Sequence, residues 1–142
     1  MVEPDTSSWK KLGATSNTEY YEVEPGILAA LPHLGASDDE SSARQNNLFQ
    51  MEYFRASQRP GCVLVLFDRM KGQDAGARRV YQREPDSKLL LGTGLVGGTL
   101  LGRAMASFFL GMSKTQVPVK LFGDFNDALQ WARAIILKEN HS

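Results

Sequence analysis

The sequence holds one cysteine, Cys62, and two histidines, His33 and His141, in 142 residues. A single thiol excludes an internal disulfide framework. Two histidines so far apart lack the ligand spacing of a His/Cys metal site, so no metal is expected. Net charge is also missing, because sixteen basic side chains balance sixteen acidic ones. Nucleic-acid binding draws on a surplus of positive charge, so that partner is not expected. The opening MVEPDTSSWKK has early acids and no apolar run, which gives no sign of a secretory leader and points to the cytoplasm. The rest is 42% hydrophobic and 23% charged, the composition of one soluble domain. A chain this long buries roughly two thirds of its unfolded surface and needs no staple.

The charges are unevenly spread. Residues 1–60 carry five basic and nine acidic groups, and residues 61–142 carry eleven and seven. Five basic groups fall between Asp68 and Arg83: Arg69, Lys71, Arg78, Arg79 and Arg83. Such a patch either attracts anions or forms a solvated helix face.

Residues 1–17 are rich in Ser and Thr and read as a flexible segment, with Trp9 as its docking point, ahead of one domain over 18–142. Glu19–Glu24 alternates as a half-exposed strand. Pro25-Gly26 is a turn, and Ile27–Leu34 completes a hairpin, with Pro32 placing that strand near an edge or bulge. Ser37 and Glu40 have capping-box spacing before a helix over about 38–58. Its stripe is Ala43, Leu48, Met51 and Phe54, weakened by Asn46-Asn47. The apolar run Cys62–Phe67 predicts a strand buried on both faces. A helix follows over about 74–84, burying Ala77, Val80 and Tyr81. Leu89–Leu91 reads as another buried strand, and Thr99 caps a third helix with an apolar double stripe through Phe109. Val117–Phe122 is the last strand. Asp124 or Asn126 caps the last helix, which buries Ala128, Trp131, Ala132, Ile135 and Ile136. The order β-β-α-β-α-β-α-β-α predicts an α/β fold: a mostly parallel sheet of about five strands, an antiparallel opening hairpin and about four helices.

Residues 89–112 carry one charge, Arg103, and six glycines. A membrane span would tolerate the small-xxx-small spacing of Gly94, Gly98 and Gly102 but not the broken helix or the buried guanidinium, so no span is expected. Gly92-Thr93-Gly94-Leu95-Val96-Gly97 is a literal GxGxxG between a strand and a helix. That context suits a dinucleotide or small anion held by Gly92, Gly94, Gly97, Thr99 and Arg103. The bland account is a glycine-rich turn that lets a helix pack closely. Phe108, Phe109 and Leu110 cannot all face one sheet, so one of them would meet a second copy in a homodimer or be covered by a neighbouring helix. No catalytic constellation stands out. Cys62 lies in a buried strand, the histidines lack local partners, and Asp68 and Asp74 suit strand-end and capping roles.

Three stretches, in this order, carry a resemblance: CVLVLFDRMKGQDAGARR (62–79), LLLGTGLVGGTLLGRAMASFFLGM (89–112) and VPVKLFGDFNDALQWARAI (117–135). With the element order, they resemble the STAS-like domains related to anti-sigma-factor antagonists, a bacterial subgroup in particular, over about residues 19–138. The resemblance implies a cytoplasmic regulatory or scaffold module that binds a protein and is not an enzyme. In antagonists a serine at the start of the helix after the central strand is phosphorylated and switches binding. Here Lys71-Gly72-Gln73-Asp74-Ala75-Gly76-Ala77 has no Ser, Thr or Tyr. Asp74 falls near that position and offers a standing negative charge at a helix N-terminus. The partner-binding residues expected on this basis are Asp74, Gly76, Arg78, Arg79 and Arg83.

Overall fold

A computed structural model describes residues 5–98 and 116–141. The main sheet has six strands: β1 (Lys10–Ala14), β2 (Thr18–Glu24), β3 (Ile27–Pro32), β5 (Gly61–Leu66), β7 (Leu90–Val96) and β8 (Val119–Phe122). They lie in the order β1-β2-β3-β5-β7-β8. The first three are antiparallel neighbours, and β3, β5, β7 and β8 run parallel. Two further short strands, β4 (Ala36–Asp38) and β6 (Met70–Gln73), pair in parallel beside it. Three α-helices lie among the described residues: α1 (Glu40–Ser57), α2 (Ala75–Arg83) and α3 (Phe125–Asn140). The α/β class and the mixed sheet are therefore present. The helix expected from Thr99 lies outside the described residues, and with it the proposed dimer contact of Phe108–Leu110.

Side-chain alternation along the strands divides the core into two layers. Leu28, Ala30 and Val63 point to one face, where Tyr20, Met51 and Phe54 join them under α1. Ile27, Cys62 and Leu64 point to the other, against Ala128 and Ala132 of α3, with Trp131, Ile135 and Ile136 at the margin. The chain steps from β3 to β5 to β7 in one direction across the sheet. Right-handed crossovers then place α1 and α2 on a common face, and α1 and α2 do pack together around Ala43, Ala77 and Val80. Arg44 reinforces that seam from outside, reaching Glu84 at 2.6 Å and Glu40 at 3.3 Å. Its guanidinium holds the Glu84 carboxyl below the usual range, but so exposed a pair adds little to stability.

Several expectations are corrected. Residues 10–14, within the segment read as flexible, form β1, an edge strand paired with β2. Trp9 docks as expected, 5.0 Å from the Phe125 ring and 5.9 Å from Tyr21. Pro32 does not put β3 at an edge. β3 is central, and Pro32 is its last residue, beyond the Ile27–Ala30 ladder with β5, so its missing N–H costs no bond there. The strand β2 is covered on both sides, because Tyr20 lies beneath α1 and Val23 packs with α3. The capping box sits two residues later than Ser37/Glu40. Asp39 is the cap, accepting from Ser42 N at 2.9 Å while Ser42 Oγ accepts from Asp39 N at 2.9 Å. Leu48 is 59% exposed, and Asn46, Asn47 and Gln50 take the buried face instead.

Candidate functional site

The segment from β6 into α2 is short and heavily tied. Asp74 caps α2, accepting from Ala77 N at 2.9 Å, as its position predicts. Its own N–H donates to the Asp38 carbonyl at 3.0 Å, fixing the loop to β4. Asp74, Arg79 and Arg83 are exposed, as is Lys71 before them. The other two expected binding residues turn inward. Gly76 lies against the start of α1, where an added Cβ would stand 3.2 Å from that of Glu40. Arg78 is half-buried and donates from Nη1 to the Gln73 carbonyl at 3.0 Å. The outward set is therefore Lys71, Asp74, Arg79 and Arg83, three cations around one helix-capping carboxylate.

Beneath α2 lies a buried polar cluster that the sequence did not announce. Asp38 is 5% exposed. It accepts from the Tyr81 hydroxyl at 2.5 Å, from Asn17 Nδ2 at 3.1 Å and from the Ser42 hydroxyl. Asn46 accepts at Oδ1 from the Thr15 and Tyr20 hydroxyls, at 2.7 and 3.1 Å. It donates from Nδ2 to Asn17 Oδ1 at 3.0 Å and to the Tyr81 hydroxyl at 3.1 Å. Gln50 completes the chain with a 3.0 Å donation to Tyr20. Burial pushes both tyrosine hydroxyls well above their ordinary pKa, and the Asp38 carboxylate adds to this. They stay neutral donors at any physiological pH. The one visible hint was the pair Asn46-Asn47 interrupting an apolar stripe.

The GxGxxG segment does not make a phosphate-binding turn. Gly92 and Gly94 lie within β7, paired opposite Cys62 and Leu64 of β5. A Cβ on Gly92 would meet Trp131 at 2.9 Å and Ile135 at 3.1 Å; one on Gly94 would meet Leu64 at 2.8 Å. A Cβ on Gly97 would strike the Phe67 ring at 2.5 Å. The space beside these glycines is taken by the Trp131 and Ile135 side chains of α3 and by Leu64 and Phe67, which leaves no room there for a pyrophosphate. Thr99 and Arg103 of that expected site lie outside the described residues. Gly92→Ala is expected to cost about 1–3 kcal/mol by overpacking. Gly98→Ala, with no described atom within 4 Å of its Cβ, should stay within about 0.5 kcal/mol. Urea midpoints of the two variants check this, and the opposite ranking would overturn the packing account.

The remaining reactive groups have structural occupations. Asp68 accepts from Gly98 N at 2.9 Å where β7 ends. His33 and His141 are exposed and far apart in the chain. Among the described residues no group of three or more His, Cys, Asp or Glu is placed to hold a metal ion. No described helix is long and apolar enough to cross a membrane. Cys62 is fully buried, its thiol 4.0 Å from the Ala132 carbonyl, and burial pushes its pKa up to about 12. The thiolate is the nucleophile, so a thiol-exchange reagent at pH 8 should label native Cys62 at least about 100-fold more slowly than the unfolded chain. The same shift gives a pH dependence. A thiol with a raised folded pKa leaves its share of stability intact below the unfolded value near 9. That share is lost as pH rises through 9 toward 12. Cys62→Ala should flatten this alkaline fall, measured as urea midpoints from pH 8 to 11.

No curated protein and no solved structure matches the chain. A family model does, over residues 21–136, which run from within β2 through most of α3 and include β4, α1, β6 and α2, while Thr15, Asn17 and Tyr20 of the polar cluster precede it. The chain belongs to that family, the domain of unknown function DUF7793.

Proposed function

We propose that the chain is a non-enzymatic, STAS-like regulatory module of the bacterial cytoplasm that binds a protein partner through the outer face of the β6–α2 segment. What carries the reading is the arrangement of α2. Its inner face is locked to α1 by Ala77, Val80 and Tyr81, while Asp74, Arg79 and Arg83 are left outward with Lys71. Neither Arg79 nor Arg83 makes an ion pair among the described residues. Three cations around one carboxylate suit a partner surface rich in Asp and Glu, which would steer association and make it salt-sensitive. The loop after the central strand β5 is where antagonists of sigma-factor regulators carry their switch serine. Asp74 falls near that position, and the loop has no hydroxyl to phosphorylate, so binding would be constitutive.

The test is a charge reversal. Arg79→Glu with Arg83→Glu should leave the unfolding free energy, read from urea denaturation, within about 1 kcal/mol of wild type, because both side chains are exposed. It should reduce capture of a specific partner from source cells at least tenfold. Arg55→Glu, an exposed reversal on α1, should capture normally. A partner that binds both variants as well as wild type removes the proposal.

A further inference from the structure

The N-terminal arm, residues 5–14, is fastened to the domain at few points. Among the described residues, 5–9 hydrogen-bond only to themselves: Trp9 N donates to the Thr6 carbonyl and Ser7 N to Asp5 Oδ1, each at 3.0 Å. What holds that stretch down is the half-buried Trp9 ring, with the Phe125 and Tyr21 centroids 5.0 and 5.9 Å away. The strand β1 follows, paired on one side alone and interrupted by a bulge between Lys11 and Gly13. Its one ion pair among the described residues, Lys11 Nζ to Glu19 Oε1 at 2.9 Å, is largely exposed and adds little. The turn after β1 is fixed, by contrast. Thr15 Oγ1 donates to Asn46 at 2.7 Å, Ser16 N to Gln45 at 3.2 Å, and Asn17 reaches Ser37 and Asp38. A segment with so few tertiary contacts opens ahead of the whole domain, and the tied turn stops that opening at Ala14.

The surface under the arm has its own pattern. Glu19 and Tyr21 are two apart on β2 and share a face, where they receive Lys11 and Trp9, also two apart. Glu19 has no other ion-pair partner among the described residues. Beside them runs the edge of β2, which β1 alone covers. The outer edge of β1 is guarded by two lysines and the bulge, devices that discourage further pairing. The strand β2 beneath it carries three glutamates, which favour an incoming cation. We infer that the arm is the chain's own occupant of a strand-docking site, and that an extended segment of a partner protein reading aromatic-x-Lys takes its place. The partner's ring lies on Tyr21 and Phe125, its ammonium meets Glu19 and its backbone completes the β2 edge. The arm itself shows the chemistry that fits. The site uses none of the residues assigned above to the outer β6–α2 face, so either assignment can fail alone.

Hydrogen exchange on the full chain tests the opening. Amides of β1 should exchange at least about 100-fold faster than those of β3, and Trp9→Ala should speed β1 further while leaving β3 unchanged. Docking is read by the anisotropy of a fluorescein-labelled peptide with the sequence of residues 5–14. It should bind the Trp9→Ala chain at least about tenfold more tightly than wild type, whose tethered arm competes at high effective concentration. Alanine in place of the peptide's tryptophan should weaken binding at least about fivefold. The inference is overturned if β1 exchanges as slowly as β3, or if Trp9→Ala does not fold, because the arm is then no detachable unit. It is also overturned if the alanine peptide binds as well as the tryptophan peptide, or if neither binds Trp9→Ala at millimolar concentration. Dimerisation of Trp9→Ala in sedimentation, without peptide binding, would assign the β2 edge to a second copy and overturn the assignment to a partner segment.

Discussion

Gly61→Ala is expected to cost about 3–5 kcal/mol, a large part of the total stability of a domain this size. Gly61 opens β5 where the chain leaves α1. A Cβ there would stand 2.0 Å from the Gly26 carbonyl oxygen and 2.8 Å from the Phe54 ring. The first of these is backbone, held by its own 2.9 Å bond from Cys62 N, so it cannot swing aside like a side-chain tip. Relief would require opening the β2–β3 turn, whose Gly26 has φ +88°. The same loss should appear as a shifted urea midpoint with an unchanged slope. Gly72→Ala is the control, since no described atom lies within 4 Å of its Cβ. A loss under 1 kcal/mol for Gly61→Ala would mean that the hairpin turn and the start of β5 do not meet as described.

Gly61 also shows where the sequence was readable and where it was not. Pro25-Gly26 and Pro60-Gly61 were legible as chain breaks, because turn chemistry is local. Their contact with each other is not local, and neither motif contains the other's position. The apolar run Cys62–Phe67 predicted a strand buried on both faces, and β5 is one, with Cys62 and Leu64 toward α3 and Val63 toward α1. The caps Asp74 and Asp124 were likewise visible, because a carboxylate beside the first N–H groups of a helix needs no tertiary partner. By contrast, β1 reads KKLGA, a polar stretch with one large apolar residue, and becomes a strand only because β2 offers it an edge. The glycines of β7 resembled a phosphate turn because the apolar run reads as a strand ending at Leu91, whereas β7 continues through them to Val96. The ring that fills the space above Gly92 belongs to Trp131, which lies on α3 across the core. On the candidate binding face, Asp74, Arg79 and Arg83 could be picked out as charges in one short segment. That Gly76 and Arg78 turn inward depends on α1, which the local sequence does not contain.

The buried amides were the larger omission, and they support the second prediction. A helix stripe scored by hydrophobicity treats Asn46 as an interruption, yet it is 3% exposed and has both donors and both acceptor positions occupied. A satisfied polar group is as buriable as an apolar one, and it fixes the register of every group it touches. Asn46→Ala should therefore cost about 2–4 kcal/mol. The Tyr20 hydroxyl loses its acceptor in a fully buried site, while Asn17, Thr15 and Tyr81 keep other partners. Asn46→Asp is the sharper variant, being nearly isosteric. It replaces the Nδ2 donor with an oxygen that meets Asn17 Oδ1, an acceptor, and the Tyr81 oxygen, whose proton is already given to Asp38. It also adds a carboxylate to a cluster that holds one. Burial and the Asp38 charge would raise the new group's folded pKa above its unfolded value of about 3.9. Its contribution is then best below pH 4 and is lost as pH rises through the folded value. Asn46→Asp should be less stable than Asn46→Ala at pH 7, and the gap should close as pH falls toward 4, measured by urea denaturation of both variants across that range. A constant gap would mean that the residue at 46 is in contact with water, and the cluster would then be a surface feature and not the joint between α1, α2 and the sheet.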